Sequence, residues 1–168
     1  MEGVELIFKY SQGEYTKAYR QYLIASKILS KPNIIIVLLF FPLSLVNLYV
    51  SSFNTLSILL SVITFFALLI GSLLYFYIPI RNFKIQAKLQ DEYTLTFTLN
   101  NIHFKTTSID SETKWDVYKE VWENKDFYYM IQAPQLFSLI PKRALANETV
   151  KKTLEEIIIS NFNSIKKV

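Results

Sequence analysis

From Pro32 to Ile80 the chain carries no Asp, Glu, Lys, Arg or His, whereas charged residues recur every few positions elsewhere. One helical crossing of a bilayer takes ~20 apolar residues, so a block of this length is two crossings. It predicts a helical hairpin: a first span over approximately Ile34 to Val50, a second over approximately Leu56 to Ile80, and a polar, uncharged turn from Ser51 to Thr55. Pro42 withholds one backbone donor and predicts a bend in the first span. Pro79 is expected to close the second. A buried hairpin inside a soluble protein is the competing reading, but neither polar flank is large enough to cover so much apolar surface.

Before the block, Val4, Leu6, Phe8 and Tyr10 alternate with Glu5, Ile7 and Lys9, the period of a half-buried strand. A strand this short does not stand alone, so it is expected to join strands late in the chain. Ser11 and Glu14 have capping-box spacing and predict a helix running to about Ser30, where Lys31-Pro32 interrupts it. On that helix Tyr15, Ala18, Tyr19, Tyr22, Ser26 and Leu29 gather on one face, and Lys17, Arg20, Lys27 and Lys31 on the other. Two readings stand. Either the tyrosines pack on the soluble domain and the basic side is solvated, or the basic side lies along an anionic membrane surface or holds a negatively charged partner.

Beyond Ile80, residues 83–90 read as a short helical extension or linker. Tyr93, Leu95, Phe97 and Leu99 then alternate with threonines, and a turn at Asn100-Asn101 would pair Leu99 with Ile102, Phe97 with Phe104 and Thr98 with His103. A second hairpin is expected from about Trp115 to Gln132, turning at Asn124-Lys125, and a further strand over Phe137 to Ile140. A last helix is capped by Asn147, with Val150, Leu154, Ile157, Ile158, Phe162 and Ile165 on its apolar face and Lys166 and Lys167 at its C-terminus. The expected fold is an α+β membrane protein, a two-helix transmembrane hairpin plus a small antiparallel β domain capped by a C-terminal helix. Its expected divisions are residues 1–31, 32–80 and 81–168.

Charge orients the hairpin. Lys27 and Lys31 precede it, Arg81, Lys84 and Lys88 follow it, and the turn carries none, which places both termini in the cytoplasm of a multi-pass cell-membrane protein. Tyr49 and Phe53 at one end, and Tyr75 and Tyr77 at the other, sit where aromatic interface belts form. The N-terminus lacks the basic start and short apolar run of a signal peptide. With no cysteine, a disulfide framework and a Cys-based zinc site are excluded. Three glycines make no phosphate-binding loop.

The single histidine, His103, reads as a solvated strand residue, and the carboxylates from Asp110 to Asp126 alternate with lysines as a mixed-charge face. We therefore expect no catalytic residue, cofactor or metal. A net charge of +4 with its basic residues near the apolar block argues against nucleic acid. Trp115 and Trp122 read as packing residues. Lys142 and Arg143, between the last strand and the helix, are placed either to meet lipid headgroups or an acidic peptide, or to stand as exposed charges near a membrane or as partners for the acidic cluster. The candidate lipid or partner contacts are thus Lys17, Arg20, Lys27, Lys31, Lys142 and Arg143.

Five stretches together resemble the YcxB-like family of bacterial membrane proteins. They are Glu14-Tyr-Thr-Lys-Ala-Tyr-Arg20, Tyr93-Thr-Leu-Thr-Phe97, Ile102-His-Phe-Lys105, Lys114-Trp-Asp-Val-Tyr-Lys-Glu-Val121 and Phe137-Ser-Leu-Ile-Pro-Lys-Arg-Ala144. The resemblance spans nearly the whole chain and is most specific in the last two. It implies a C-terminal domain like a pleckstrin-homology (PH) domain, tethered by two spans, and carries over no catalytic residue. Related membrane proteins with such domains include some implicated in self-protection against bacteriocins. The expected function is a membrane-anchored, non-catalytic interaction protein that presents a cytoplasmic PH-like domain to a protein partner or the inner leaflet. The alternative is an immunity protein guarding the host membrane from a bacteriocin. Expected partners are the lipid bilayer and another membrane protein or a membrane-active peptide.

Overall fold

The computed structural model describes residues 3–162 and 164–168. The chain folds as two compact units, one of residues 12–85 and the other of residues 86–168 together with the segment up to Ser11.

The second of these is a β unit. Its first sheet has the order β1-β2-β3-β4, built from β1 (Val4–Lys9), β2 (Glu92–Phe97), β3 (Asn101–Lys105) and β4 (Asp110–Lys114). Its second has the order β7-β6-β5-β8, from β5 (Glu120–Glu123), β6 (Phe127–Ala133), β7 (Leu136–Pro141) and the two-residue β8 (Lys166–Lys167). All pairings are antiparallel except that of β5 with β8. The alternation in β1 is realised: Val4, Leu6 and Phe8 are buried, Glu5, Ile7 and Lys9 are exposed, and the strand pairs with β2 from Val4 opposite Phe97 to Lys9 opposite Glu92. Helix α5 (Glu148–Phe162) buries Leu154, Ile157 and Ile158, and its start is capped by Asn147, whose Oδ1 accepts from the Val150 amide at 2.9 Å.

Four expectations for this unit need correction. Phe97 lies opposite Ile102 and Leu95 opposite Phe104, so the first hairpin turns at Leu99-Asn100, one residue early. Thr98 decides this: its Oγ1 accepts from the Asn101 amide at 3.1 Å, and its own amide donates to the Asn101 carbonyl at 2.9 Å. The shift in pairing is two residues, so every side chain keeps its face. The second hairpin turns at Lys125-Asp126 because Asn124 Oδ1 accepts from the amides of Asp126 and Phe127, both at 2.9 Å. Trp115–Val117 form a 3-10 turn, and that hairpin starts only at Glu120. Finally, α5 stops at Phe162, and Lys166 and Lys167 leave it to form β8, with Lys166 4.7 Å above the Trp122 ring.

The strand β4 answers to no apolar pattern, since Asp110, Ser111 and Glu112 are all exposed. It is held at the edge by polar pairs with β3: His103 Nε2 meets Asp110 Oδ1 at 2.6 Å, Lys105 reaches the same carboxylate at 3.7 Å, and Asn101 binds Glu112.

The other unit is helical: α1 (Gln12–Ala25), α2 (Lys31–Val50), α3 (Thr55–Ser72), a π-helical turn (Leu73–Tyr77) and α4 (Ile78–Ile85). Against expectation α1 ends at Ala25, where Lys27 enters the left-handed region at φ 62° and the Leu29 amide closes onto the Leu23 carbonyl at 3.0 Å. Lys31-Pro32 therefore begins a helix rather than ending one. Pro32 needs no donor in the first turn, and Ser30 caps it. Pro79 does not close the second apolar helix, which runs on to Ile85. The π-helical turn accommodates it by letting the Ile78 amide bond five residues back, to Leu73.

Candidate functional site

Two helices, Lys31–Val50 of 20 residues and Thr55–Ile85 of 31, are long and apolar enough to cross a membrane. Their apolar side chains point outward: Leu39, Leu43, Val46, Leu59, Phe65 and Phe66 are all exposed. What α2 and α3 bury between them is polar. Ser44, Ser57, Ser61 and Thr64 are buried, with Ser44 Oγ 3.0 Å from Thr64 Oγ1 and Ser61 Oγ donating to the Ser44 carbonyl at 3.1 Å. Small hydroxylated residues let two backbones approach and bond across the seam. Sequence reasoning passed over these residues, although Ser57, Ser61 and Thr64 fall at i, i+4 and i+7 in an otherwise apolar segment.

At the far end of the second apolar helix, α1 and α4 border a groove of about 350 Å³. Two of the predicted basic residues, Lys17 and Arg20, line it, as do Gln12, Thr16 and Tyr75. Arg20 is fixed there. Proline at position 79 has no N–H for the Tyr75 carbonyl four residues back, and Arg20 Nε donates to that carbonyl at 3.0 Å while its guanidinium lies 4.8 Å above the Tyr75 ring. Thr16 lies deeper: its hydroxyl is buried and has no hydrogen-bond partner. Tyr15, Tyr19 and Tyr22 on α1 are buried, so the tyrosine stripe is a packing face. Burial, reinforced by Tyr19, pushes the Tyr15 phenol up to about 12.

The remaining predicted residues are dispersed. Lys27 is exposed on the left-handed turn, and Lys31 is exposed at the start of α2. In the β unit Lys142 is committed to Glu123 at 2.5 Å, with its ammonium 4.8 Å above the Tyr128 ring, and Arg143 Nη2 donates to the Lys9 carbonyl at 2.7 Å. Glu123 is one of the carboxylates of the acidic cluster, so Lys142 pairs within the β unit. Both tryptophans are buried, and Trp115 Nε1 donates to the Thr98 carbonyl at 2.9 Å. Among the described residues no cluster of three or more His, Asp and Glu side chains is arranged to hold a metal ion.

A family model described as YcxB-like protein matches residues 97–158. Three of the five stretches that carry the resemblance lie inside it, Ile102 to Lys105, Lys114 to Val121 and Phe137 to Ala144, while Glu14 to Arg20 lies outside. No curated protein and no solved structure matches the chain.

Proposed function

Taking as premise that its segment 97–158 belongs to the YcxB-like family, we propose that this protein is a membrane-anchored, non-catalytic interaction protein. Its β unit is a PH-like domain that meets a protein partner or the inner leaflet. The observation that carries the anchor is the outward-facing apolar surface of two paired helices whose buried seam is hydroxylated, the inverse of a water-soluble helical pair. The element order supports the PH-like reading: four antiparallel strands, then three, then a closing helix.

Strand pairing supports termini on one side. Lys9 and Glu92 face each other across neighbouring strands, so the chain between them departs and returns at one place. Two crossings satisfy this and one does not. The flanking lysines and arginines make that side the cytoplasm.

The absence of cysteine permits a direct test. Ser52→Cys in the α2–α3 turn should react with an impermeant maleimide on intact cells, and Thr107→Cys in the β unit only after permeabilisation. The opposite pattern, or release of the chain from membranes by carbonate, overturns the anchor. A photo-crosslinking residue at the exposed position 143 should give a lipid adduct or a discrete protein adduct in native membranes. Neither kind of adduct would overturn the interaction reading.

A further inference from the structure

Resting on the membrane-anchored reading, we propose that the groove bordered by α1 and α4 binds the phosphate of an anionic phospholipid headgroup. Thr16 is the central observation. A helical threonine ordinarily donates to a carbonyl three or four residues back, yet its Oγ1 has no partner although the residue is only 6% exposed, and it lines the groove. A buried hydroxyl without a partner is costly, and a turn about χ1 that brings it to the groove would let an acceptor oxygen there satisfy it.

The surroundings fit an anion. Lys17 and Arg20 line the groove and no carboxylate does. Gln12 and Gly13, the first residues of α1, also border it, so the groove reaches the positive end of a 14-residue helix. A side chain at Gly13 would meet nothing within 4 Å, so the approach is open.

Depth and shape favour a lipid as the source of the phosphate. Tyr75 lies twenty residues beyond Thr55 on one continuous helical run. At ~1.5 Å per residue that is ~30 Å, the thickness of the hydrocarbon core. The groove therefore opens where headgroups begin. Its polar lining is Gln12, Thr16, Lys17, Arg20 and Gln21, while Ile24 and Ile80 line it as well and suit the glycerol and first methylenes. About 350 Å³ accommodates a headgroup rather than a bare ion.

The test uses the full chain reconstituted in phosphatidylcholine bilayers containing a minor share of phosphatidylglycerol, with bound lipid counted by native mass spectrometry after gentle extraction. Phosphatidylglycerol should be retained over phosphatidylcholine by about tenfold, because the two share the same phosphate but choline adds a cation beside Lys17 and Arg20 in a groove without a carboxylate. Thr16→Val combined with Lys17→Gln should abolish the preference. Thr16→Ser, which keeps the hydroxyl, should preserve it. A control pair, Lys27→Gln with Lys31→Gln, removes equal charge outside the groove and should leave the preference intact.

Equal retention of the two lipids, an undiminished preference in the groove variant, or equal loss in the control pair overturns the proposal. Displacement of phosphatidylglycerol by millimolar inorganic phosphate also overturns it, by making the site one for free phosphate. Carbonate washing of the same membranes separates failure of the site from failure of the anchor: a chain that stays in the bilayer without lipid preference refutes only the site.

Discussion

Arg20 and Thr16 sit one helical turn apart and answer opposite needs. Arg20 supplies the donor that Pro79 lacks, so Arg20→Lys, which loses the fixed Nε and the stacked guanidinium, should lower stability in detergent by about 1–2 kcal/mol. A thermal or denaturant midpoint checks this. Thr16→Val should do the reverse without anionic lipid, raising stability by about 1 kcal/mol, because it removes a buried hydroxyl that no group satisfies.

The tyrosine stripe makes a prediction in alkali. Tyr15 keeps its proton up to about 12 in the folded chain, whereas an unfolded tyrosine releases it near ~10. Folded chains then hold more protons than unfolded ones between these values, so stability falls as pH rises through that window. Absorbance at phenolate wavelengths should show a late-titrating class that Tyr15→Phe diminishes. Helical periodicity made the tyrosine face and the Lys17 and Arg20 side of α1 legible, but Lys27 and Lys31 lie beyond the end of that helix. Periodicity could not reveal Thr16's missing partner, which depends on how one hydroxyl is enclosed.

Elements differ in how plainly they were written. The strand β1, the apolar helices and α5 follow from spacing alone, because each has one apolar face or is apolar throughout. The strand β4 is invisible to such reasoning: it buries almost nothing and persists through pairs to β3. Hydrogen bonding to His103 is the main cause that holds the Asp110 carboxyl below the usual carboxylate range, with Lys105 adding to it. Its stabilisation is present above the unfolded carboxylate value and is lost as pH falls through the folded one. Carboxyl NMR should find Asp110 titrating low, and His103→Ala should return it toward the ordinary value.

The hydroxylated seam can be weighed by a double-mutant cycle between Ser44→Ala and Thr64→Val, which isolates their 3.0 Å contact. Coupling of about 0.6 kcal/mol, and at most about 1.7, is expected if the pair lies in lipid. The turn positions were mislocated by one residue each because threonine and asparagine side chains, rather than backbone preference, choose where the chain reverses.

For the molecule as a whole, the decisive fact is that β1 and β2 are neighbours in a sheet and about eighty residues apart in sequence. The whole helical unit is an insertion into one hairpin connection. Joining Tyr10 to Asp91 through Asn-Gly should therefore leave a β domain that folds by itself. Its circular dichroism should be strand-dominated with a single cooperative melt, and a chain recovered only as aggregate would contradict the insertion reading. The alternation of β1 already required a distant partner; the identity of that partner needed the register.

The same arrangement imposes an order of events during synthesis. At roughly 5–20 residues per second, β1 leaves the ribosome several seconds before β2 exists to receive it. During that interval both long apolar helices emerge. An N-terminal strand with Val4, Leu6 and Phe8 uncovered is an open edge throughout. Closure of the sheet thus reports that the helices between its first two strands have already been made, and a chain stalled before Glu92 leaves β1 without the strand that covers its edge.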